Sequence, residues 1–113
     1  MSDGDLTGIA PSIQTQRQRA ELYETLGLEI ISAADGVAVV EMASGVGFRN
    51  SKGDLHGGAV LALADIAASC AARSLLGEQD SLSTISVTTN FARPARFPVR
   101  AVARVISKTA GHV

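Results

Sequence analysis

Residues 59–72 carry a single charge. The run reads Ala59-Val60-Leu61-Ala62-Leu63-Ala64-Asp65-Ile66-Ala67-Ala68-Ser69-Cys70-Ala71-Ala72, with Gly57-Gly58 before it and Gly77 after it. A glycine pair opening an Ala/Leu-rich stretch predicts a long helix that stops near Gly77. The run falls short of the ~20 apolar residues of a membrane span and holds a carboxylate, so a buried helix of a globular domain is the better reading. A helix apolar all round must be wrapped by a sheet or by another subunit. That demand organises the rest of the chain.

Asp65 is the odd residue in this helix. Burying a carboxylate is unfavourable unless it is paired or hydrogen-bonded. Such groups are tolerated mostly where they work, as a general base or a nucleophile. The structural alternative is an aspartate facing a water pocket, or one paired with Arg73. Gly57 and Gly58 sit where backbone N–H groups lack intrahelical partners and the helix dipole is positive. With no side chains in the way, an oxyanion such as a polarised acyl carbonyl could approach. The alternative there is a plain turn before a helix.

Spacing links the two features. Gly57 and Asp65 are eight residues apart, which is about 12 Å along a helix. Reacting atoms must come within about 3 Å. Asp65 therefore cannot serve a carbonyl held at its own helix start. Two such helices packed antiparallel would bring Asp65 of one chain near Gly57 of the other, so the geometry predicts a composite site at a two-fold dimer interface.

The flanking sequence supplies the sheet. Residues 1–13 mix Ser, Asp, Gly and Pro without period and read as a loose arm ahead of a single domain over residues 14–113. Residues 15–26 read as a short helix, with Thr15 and Gln18 as a weak capping box, Gly27 as its stop, and Ala20, Leu22, Tyr23 and Leu26 as one apolar face. Strands are predicted at residues 28–32 and 37–43, joined by a hairpin turn at Asp35-Gly36. Residues 44–53 form a loop that delivers Phe48, Arg49 and Asn50 to the mouth of the helix. Beyond it, residues 83–91 alternate Ile85, Val87, Thr89 and Phe91 against Thr84, Ser86, Thr88 and Asn90, the pattern of a half-buried strand that Arg93-Pro94 breaks. Residues 99–108 form another, with Val99, Ala101, Ala103 and Val105 inward, and Val102 and Ile106 on an outer face that is partly covered. Helix and antiparallel strands together make an α+β domain.

Composition narrows the function classes. Lys and Arg number 10 against 11 Asp and Glu, a formal net charge of −1, so no basic excess points to nucleic acid. The one cysteine, Cys70, excludes an internal disulfide, fits a reducing, cytoplasmic compartment, and reads as inert packing without a cation to activate it. The first 18 residues are polar, with no signal-peptide core. Two histidines without an acidic cluster give no metal site. Asn50 could orient a water or simply shape a turn; His56 could be an acid/base or cap the helix, with a positioning role preferred. Ser83 and Thr84 could bond substrate or water, though pairing within the sheet is the blander reading.

The pattern Asn-x-x-Gly-x-x-His-Gly-Gly-x-x-x-x-Leu-Ala-Asp is met by Asn50, Gly53, His56, Gly57, Gly58, Leu63, Ala64 and Asp65. It resembles the hotdog-fold acyl-CoA thioesterases, in the branch of phenylacetyl-CoA-type enzymes. The flanks Leu26-Gly27-Leu28, Thr84 and Phe91-x-Arg93-Pro94 agree. The resemblance implies a long central helix wrapped by a curved antiparallel sheet, assembled into homodimers and often tetramers. Such chains usually run on for a further pair of strands past a glycine like Gly111, so it also implies a domain short of its last strands, with open sheet edges. By similarity Asp65 would be the general base or nucleophile, and Asn50 would hold the attacking water or the thioester. The Gly57 N–H would polarise the carbonyl, His56 would support that loop, and Gly58 would line the substrate. Ser83 or Thr84 would be a contact from the partner chain. Arg93, with Arg49, Lys52 and Arg96, would face the phosphates of CoA, solvated surface charge being the alternative for each. CoA belongs to the substrate, so no separate cofactor is implied. Two other readings stand beside hydrolysis: a hotdog hydratase or dehydratase using His56 and Asp65, and a non-catalytic CoA-ester-binding module.

Overall fold

The β-hairpin at the centre of the sheet is made by its turn. Asp35 and Gly36 both take positive φ, 52° and 79°, the pairing of a tight turn whose twist matches that of the strands it joins. In this computed structural model, which describes residues 8, 9, 11, 13, 14, 21–42, 48–77 and 80–109, the hairpin joins β1 (Leu28–Ala34) to β2 (Val37–Met42). A short helix α1 (Glu21–Leu26) precedes it, and the long helix α2 (Gly57–Arg73) and strand β3 (Val99–Arg104) follow. The sheet is antiparallel in the order β1-β2-β3, with Leu28 opposite Met42 and Met42 opposite Val99.

One face of the sheet builds the core. Ala38, Val40 and Met42 of β2 are fully buried, and Leu28, Ile30 and Ala33 of β1 join them. The step from Ile30 to Ala33 breaks the period of two because the β1–β2 register shifts between Ile30 and Ser32. The extra residue turns Ile31 outward and returns Ala33 to the core. Helix α2 lies against this face and buries Ala59, Leu63, Ile66, Ala67, Cys70 and Ala71, a helical stripe of small and branched side chains. Its C-terminal end is tied to the hairpin: Ser74 Oγ accepts from the Gly36 N–H at 2.8 Å and donates to the Ala71 carbonyl at 2.7 Å. The Val105 N–H reaches the Gly36 carbonyl at 2.7 Å, and Lys108 Nζ the Leu75 carbonyl at 3.0 Å.

Several sequence expectations are met. Gly27 ends α1 at positive φ, 64°. The hairpin turn falls on Asp35-Gly36, and Val99, Ala101, Ala103 and Val105 point inward. The expectation of a loose arm over residues 1–13 is not met at Ile9 and Ile13, which are buried in the core. The Thr15–Gln18 capping box, Ala20 and the glycines at 45 and 47 lie outside the described residues.

Others need correction. Leu22 is 49% exposed, because only Tyr23 and Leu26 of α1 face the sheet. The last strand ends at Arg104 rather than 108, and its outer face is uncovered, with Val102 65% and Ile106 94% exposed. Helix α2 is likewise open on one side, at Leu61, Ala64 and Ala68. Most telling, residues 83–91 do not form a strand. They lie beside α2, and no backbone hydrogen bond joins residues 81–94 to any described residue. A helix satisfies its own N–H and C=O groups and offers nothing for a ladder. The alternating side chains are present but unpaired, with Ile85 84% exposed.

Candidate active site

The mouth of α2 is a tight loop held by two side chains, Asn50 and Arg49, the latter donating from Nη1 to the Gly53 carbonyl at 2.9 Å. Asn50 Oδ1 accepts from the backbone N–H of Lys52 at 2.9 Å and of Asp54 at 3.1 Å. The Asn50 N–H donates to the Asp54 carbonyl at 2.7 Å, and Gly53, at φ 84°, donates back to the Asn50 carbonyl at 3.0 Å. An aspartate or asparagine that folds its own following backbone is the usual maker of such a turn. Asn50 is therefore a loop organiser in this chain, with its amide donors left to meet another group. The loop is closed by a bridge between Arg49 and Leu55, and it is docked by the Leu55 N–H on the Ala95 carbonyl at 3.1 Å. Arg49 lies over the Phe97 ring, 5.0 Å from its centre.

His56 caps the helix. Its backbone N–H bonds the Phe48 carbonyl at 2.7 Å, and its ring Nδ1 accepts the Gly58 N–H at 3.0 Å. The bond requires an unprotonated Nδ1, so the proton of the neutral ring sits on Nε2, which points away from the helix start as a donor. Of the two sequence readings of His56, the helix cap is the one seen in this structure.

That cap leaves one donor over. The first N–H groups of a helix have no internal partners. Here Gly58 donates to His56 Nδ1, and Ala59 and Val60 donate to the His56 carbonyl at 2.9 and 3.1 Å. Gly57 alone of the four has no acceptor among the described residues. Nothing steric demands a glycine there: a Cβ on Gly57 would stand 3.6 Å from Phe91 Cε1 and 3.7 Å from Cζ, ordinary contact distances. Gly58 is different, since its N–H is spent and a Cβ would meet His56 Nδ1 at 3.4 Å.

Asp65 sits two turns further along the same helix. It is half-buried rather than buried, and it opens into a cleft of about 1090 Å³ that Ser69, Thr84, Val87 and Lys108 also line. Its apolar neighbours in sequence do not bury it: Leu63, Ile66 and Ala67 face the core, while Ala64 and Ala68 line the same open cleft as Asp65. Thr84 Oγ1 donates to Asp65 Oδ1 at 2.8 Å. The bond lies within one chain, where the resemblance had implied a contact from a partner; Arg73 is not the partner of Asp65. Arg73 is buried instead against the Asp80 carbonyl.

The remaining site residues are placed less decisively. Ser83 is exposed and makes no side-chain bond to a described residue, and the same holds for Arg93. Arg96 is 3.7 Å from Asp54. Cys70 is buried beneath the site against the Tyr23 hydroxyl at 3.6 Å. Burial pushes its thiol up, as it does the Tyr23 phenol, so both stay protonated and inert. Phe91, whose ring covers Gly57, is the contact that sequence could not supply: the two are 34 positions apart in an unpaired segment. Among the described residues no group of His, Cys, Asp or Glu is arranged to hold a metal ion, and no helix is long and apolar enough to cross a membrane.

A long helix laid against an antiparallel sheet, with a glycine pair at its start and a carboxylate two turns on, defines the α+β hotdog class. The thioesterase superfamily profile matches residues 52–110, and the chain belongs to that family; it is a thioester hydrolase. Three solved structures share the fold. A conserved protein from Pseudomonas aeruginosa is 32% identical over 83% of this chain and 76% of its own, with a TM-score of 0.76. The PaaI protein from the phenylacetic acid degradation operon of E. coli is 25% identical over 89% of this chain and 75% of its own, with a TM-score of 0.76. A mutant thioesterase from Staphylococcus aureus is 27% identical over 80% of this chain and 76% of its own, with a TM-score of 0.73. No curated protein gives a match.

Proposed function

We propose that the chain hydrolyses an acyl- or aryl-CoA thioester to the free acid and CoA, at a site shared by two copies. The observation that supports this most is the hydrogen-bond accounting on α2: one unclaimed N–H at Gly57, and one carboxylate, Asp65, aligned by Thr84 and open to a cleft. The two lie about 12 Å apart along one helix, too far to act on one carbonyl. A second helix running antiparallel supplies the missing half of each site. The open stripe Leu61, Ala64 and Ala68 flanks Asp65 and suits such close packing.

In this reading the Gly57 N–H of one chain hydrogen-bonds the thioester oxygen and stabilises the oxyanion that forms. Asp65 of the other takes a proton from water as the water attacks the carbonyl carbon. The tetrahedral intermediate then expels the CoA thiolate, which is protonated as it leaves. Direct attack by the Asp65 carboxylate, giving an enzyme-bound anhydride that water then opens, uses the same two groups. The amide donors of Asn50, in the loop at that mouth, orient the acyl group, and His56 holds the mouth by its cap on Gly58. Arg93, Arg49, Lys52 and Arg96 surround it and meet the CoA phosphates. Homodimers, pairing further into tetramers, in a reducing cytoplasm are the expected setting. The phenylacetic acid operon of the E. coli relative makes an aryl-acetyl group the first to try.

The test is a mixing experiment. Thiol release from a panel of CoA thioesters is measured for wild type, Asp65→Asn and a Gly57→Val variant. Each variant alone loses about a hundredfold or more in kcat. Mixed and re-annealed, they regain about a quarter of wild-type activity, because half the dimers are mixed and each carries one intact site. Full turnover by Asp65→Asn would sink the assignment; dead variants that never complement would sink the shared site.

A further inference from the structure

We infer that Phe91 touches the substrate of this site: its ring covers the Gly57 donor and packs against the acyl group held there. The inference rests on the thioesterase reading above and goes beyond it by naming a residue that sets acyl preference.

Phe91 is 58% exposed, although it is among the largest apolar side chains in a chain whose aromatics make up only 4%. The other two phenylalanines, Phe48 and Phe97, are half-buried against the core. The core therefore does not hold the Phe91 ring where it is. Its ring edge lies beside Gly57, with Cε1 and Cζ 3.6 and 3.7 Å from where a Cβ on that residue would stand. Gly57 carries the one N–H of the helix start that has no acceptor among the described residues. An apolar ring beside a donor excludes competing water, and a hydrogen bond made in the drier setting is stronger. A carbonyl docked on Gly57 would have its acyl substituent beside this ring, where apolar contact favours larger apolar groups over small ones.

The segment that carries Phe91 strengthens the case. Residues 84 and 91 lie on one unpaired run, and they touch the two working groups of α2 in turn: Thr84 bonds Asp65, and Phe91 covers Gly57. The run has no backbone ladder to any described residue; it is anchored at its two ends, by Arg73 on the Asp80 carbonyl and by the Leu55 N–H on the Ala95 carbonyl, and between them Thr84 and Phe91 meet the helix. A segment that meets both groups without belonging to the sheet is suited to shaping the site.

The experiment compares wild type, Phe91→Ala and Phe91→Leu on acetyl-CoA, hexanoyl-CoA and phenylacetyl-CoA, with kcat and KM resolved and solution mass measured by light scattering. Phe91→Ala should lose a few-fold in kcat/KM on acetyl-CoA, from the lost cover over Gly57. On the hexanoyl and phenylacetyl esters it should lose about tenfold more, since those also lose the contact. Phe91→Leu should recover most of the activity, because apolar volume rather than aromaticity is what the role requires. Unchanged kcat/KM in Phe91→Ala, an equal loss on all three esters, or a loss that tracks a fall in solution mass would each overturn the inference. Asp65→Asn is run beside them: its turnover at wild-type level would reject the thioesterase site itself, whereas a dead Asp65→Asn with an indifferent Phe91→Ala rejects only the role of Phe91.

Discussion

Replacing Gly57 by alanine separates folding from function in one residue. A glycine at the start of a helix is unfavourable for the helix, by up to about 1 kcal/mol relative to alanine in the interior and roughly half that in the first turn. At Gly57 the new methyl would stand 3.6 and 3.7 Å from two Phe91 ring carbons, within normal packing range. No positive φ holds the position for glycine. The Gly57→Ala protein should therefore be as stable as wild type or more so, by about 0.5 kcal/mol, which is about 2 °C in Tm for a chain of this length. Its activity should move the other way. The methyl projects between Phe91 and the space above the Gly57 N–H, where the carbonyl must come within hydrogen-bond distance. A displaced carbonyl forfeits much of the oxyanion stabilisation, worth about a hundredfold in kcat where one donor is lost. Thermal unfolding and thiol release on the same preparation decide the matter. An alanine variant with raised Tm and unimpaired kcat would refute the reasoning, because glycine would then serve neither the fold nor the ligand. A variant with lowered Tm would refute the packing half of it.

Two further outcomes follow from the fold. Gly36 sits at φ 79°, and a Cβ there would meet Leu75 Cδ1 at 3.1 Å, so Gly36→Ala should lose about 2 kcal/mol, from left-handed strain plus displaced packing; calorimetry should register a drop of roughly 8 °C in Tm. Burial, and then the neighbouring Cys70, hold the Tyr23 phenol above its ordinary range. The unfolded chain releases that proton near pH 10 while the folded chain keeps it, so stability should fall as pH rises past about 10, by up to ~1.4 kcal/mol per unit. The Cys70 thiol, raised by burial, adds a decline of the same sign that starts near pH 8.5. Urea titrations of Tyr23→Phe at pH 9 and 11 should give a shallower loss between them than wild type, and an identical slope would overturn the assignment.

Much of this was legible in the residues. The hairpin was readable because a two-residue Asp-Gly turn is a local event with a fixed φ signature. The helix was readable because its apolar run and glycine pair stand out against polar flanks. The eight-residue spacing from Gly57 to Asp65 is legible too, and it is the ground for the two-chain site proposed above. What escaped was whatever depends on a neighbour. Residues 83–91 have every local mark of a strand, yet a strand exists only if another backbone lies alongside, and α2 cannot serve. Asp65 reads as buried because its sequence neighbours are apolar, but the helix turns Leu63, Ile66 and Ala67 to the core and leaves Asp65 on an open side with Ala64 and Ala68. His56 and Asn50 were read with open roles, and their hydrogen bonds to Gly58, Lys52 and Asp54 depend on loop geometry that spacing alone does not fix.

The segment from 81 to 94 has a consequence in solution. Its amides carry no backbone partner among the described residues, so in deuterated buffer they should exchange like those of an unstructured peptide while α2 and β2 stay protected. The same run presents alternating apolar side chains on an unsatisfied backbone, the kind of edge that recruits other chains. Any event that pairs it should be visible at once as a block of newly slowed amides. Those amides therefore offer a built-in reporter of the proposed assembly: protection that sets in with rising protein concentration would mark the concentration at which two copies pair, and amides that stay unprotected at every concentration would speak against pairing through this run.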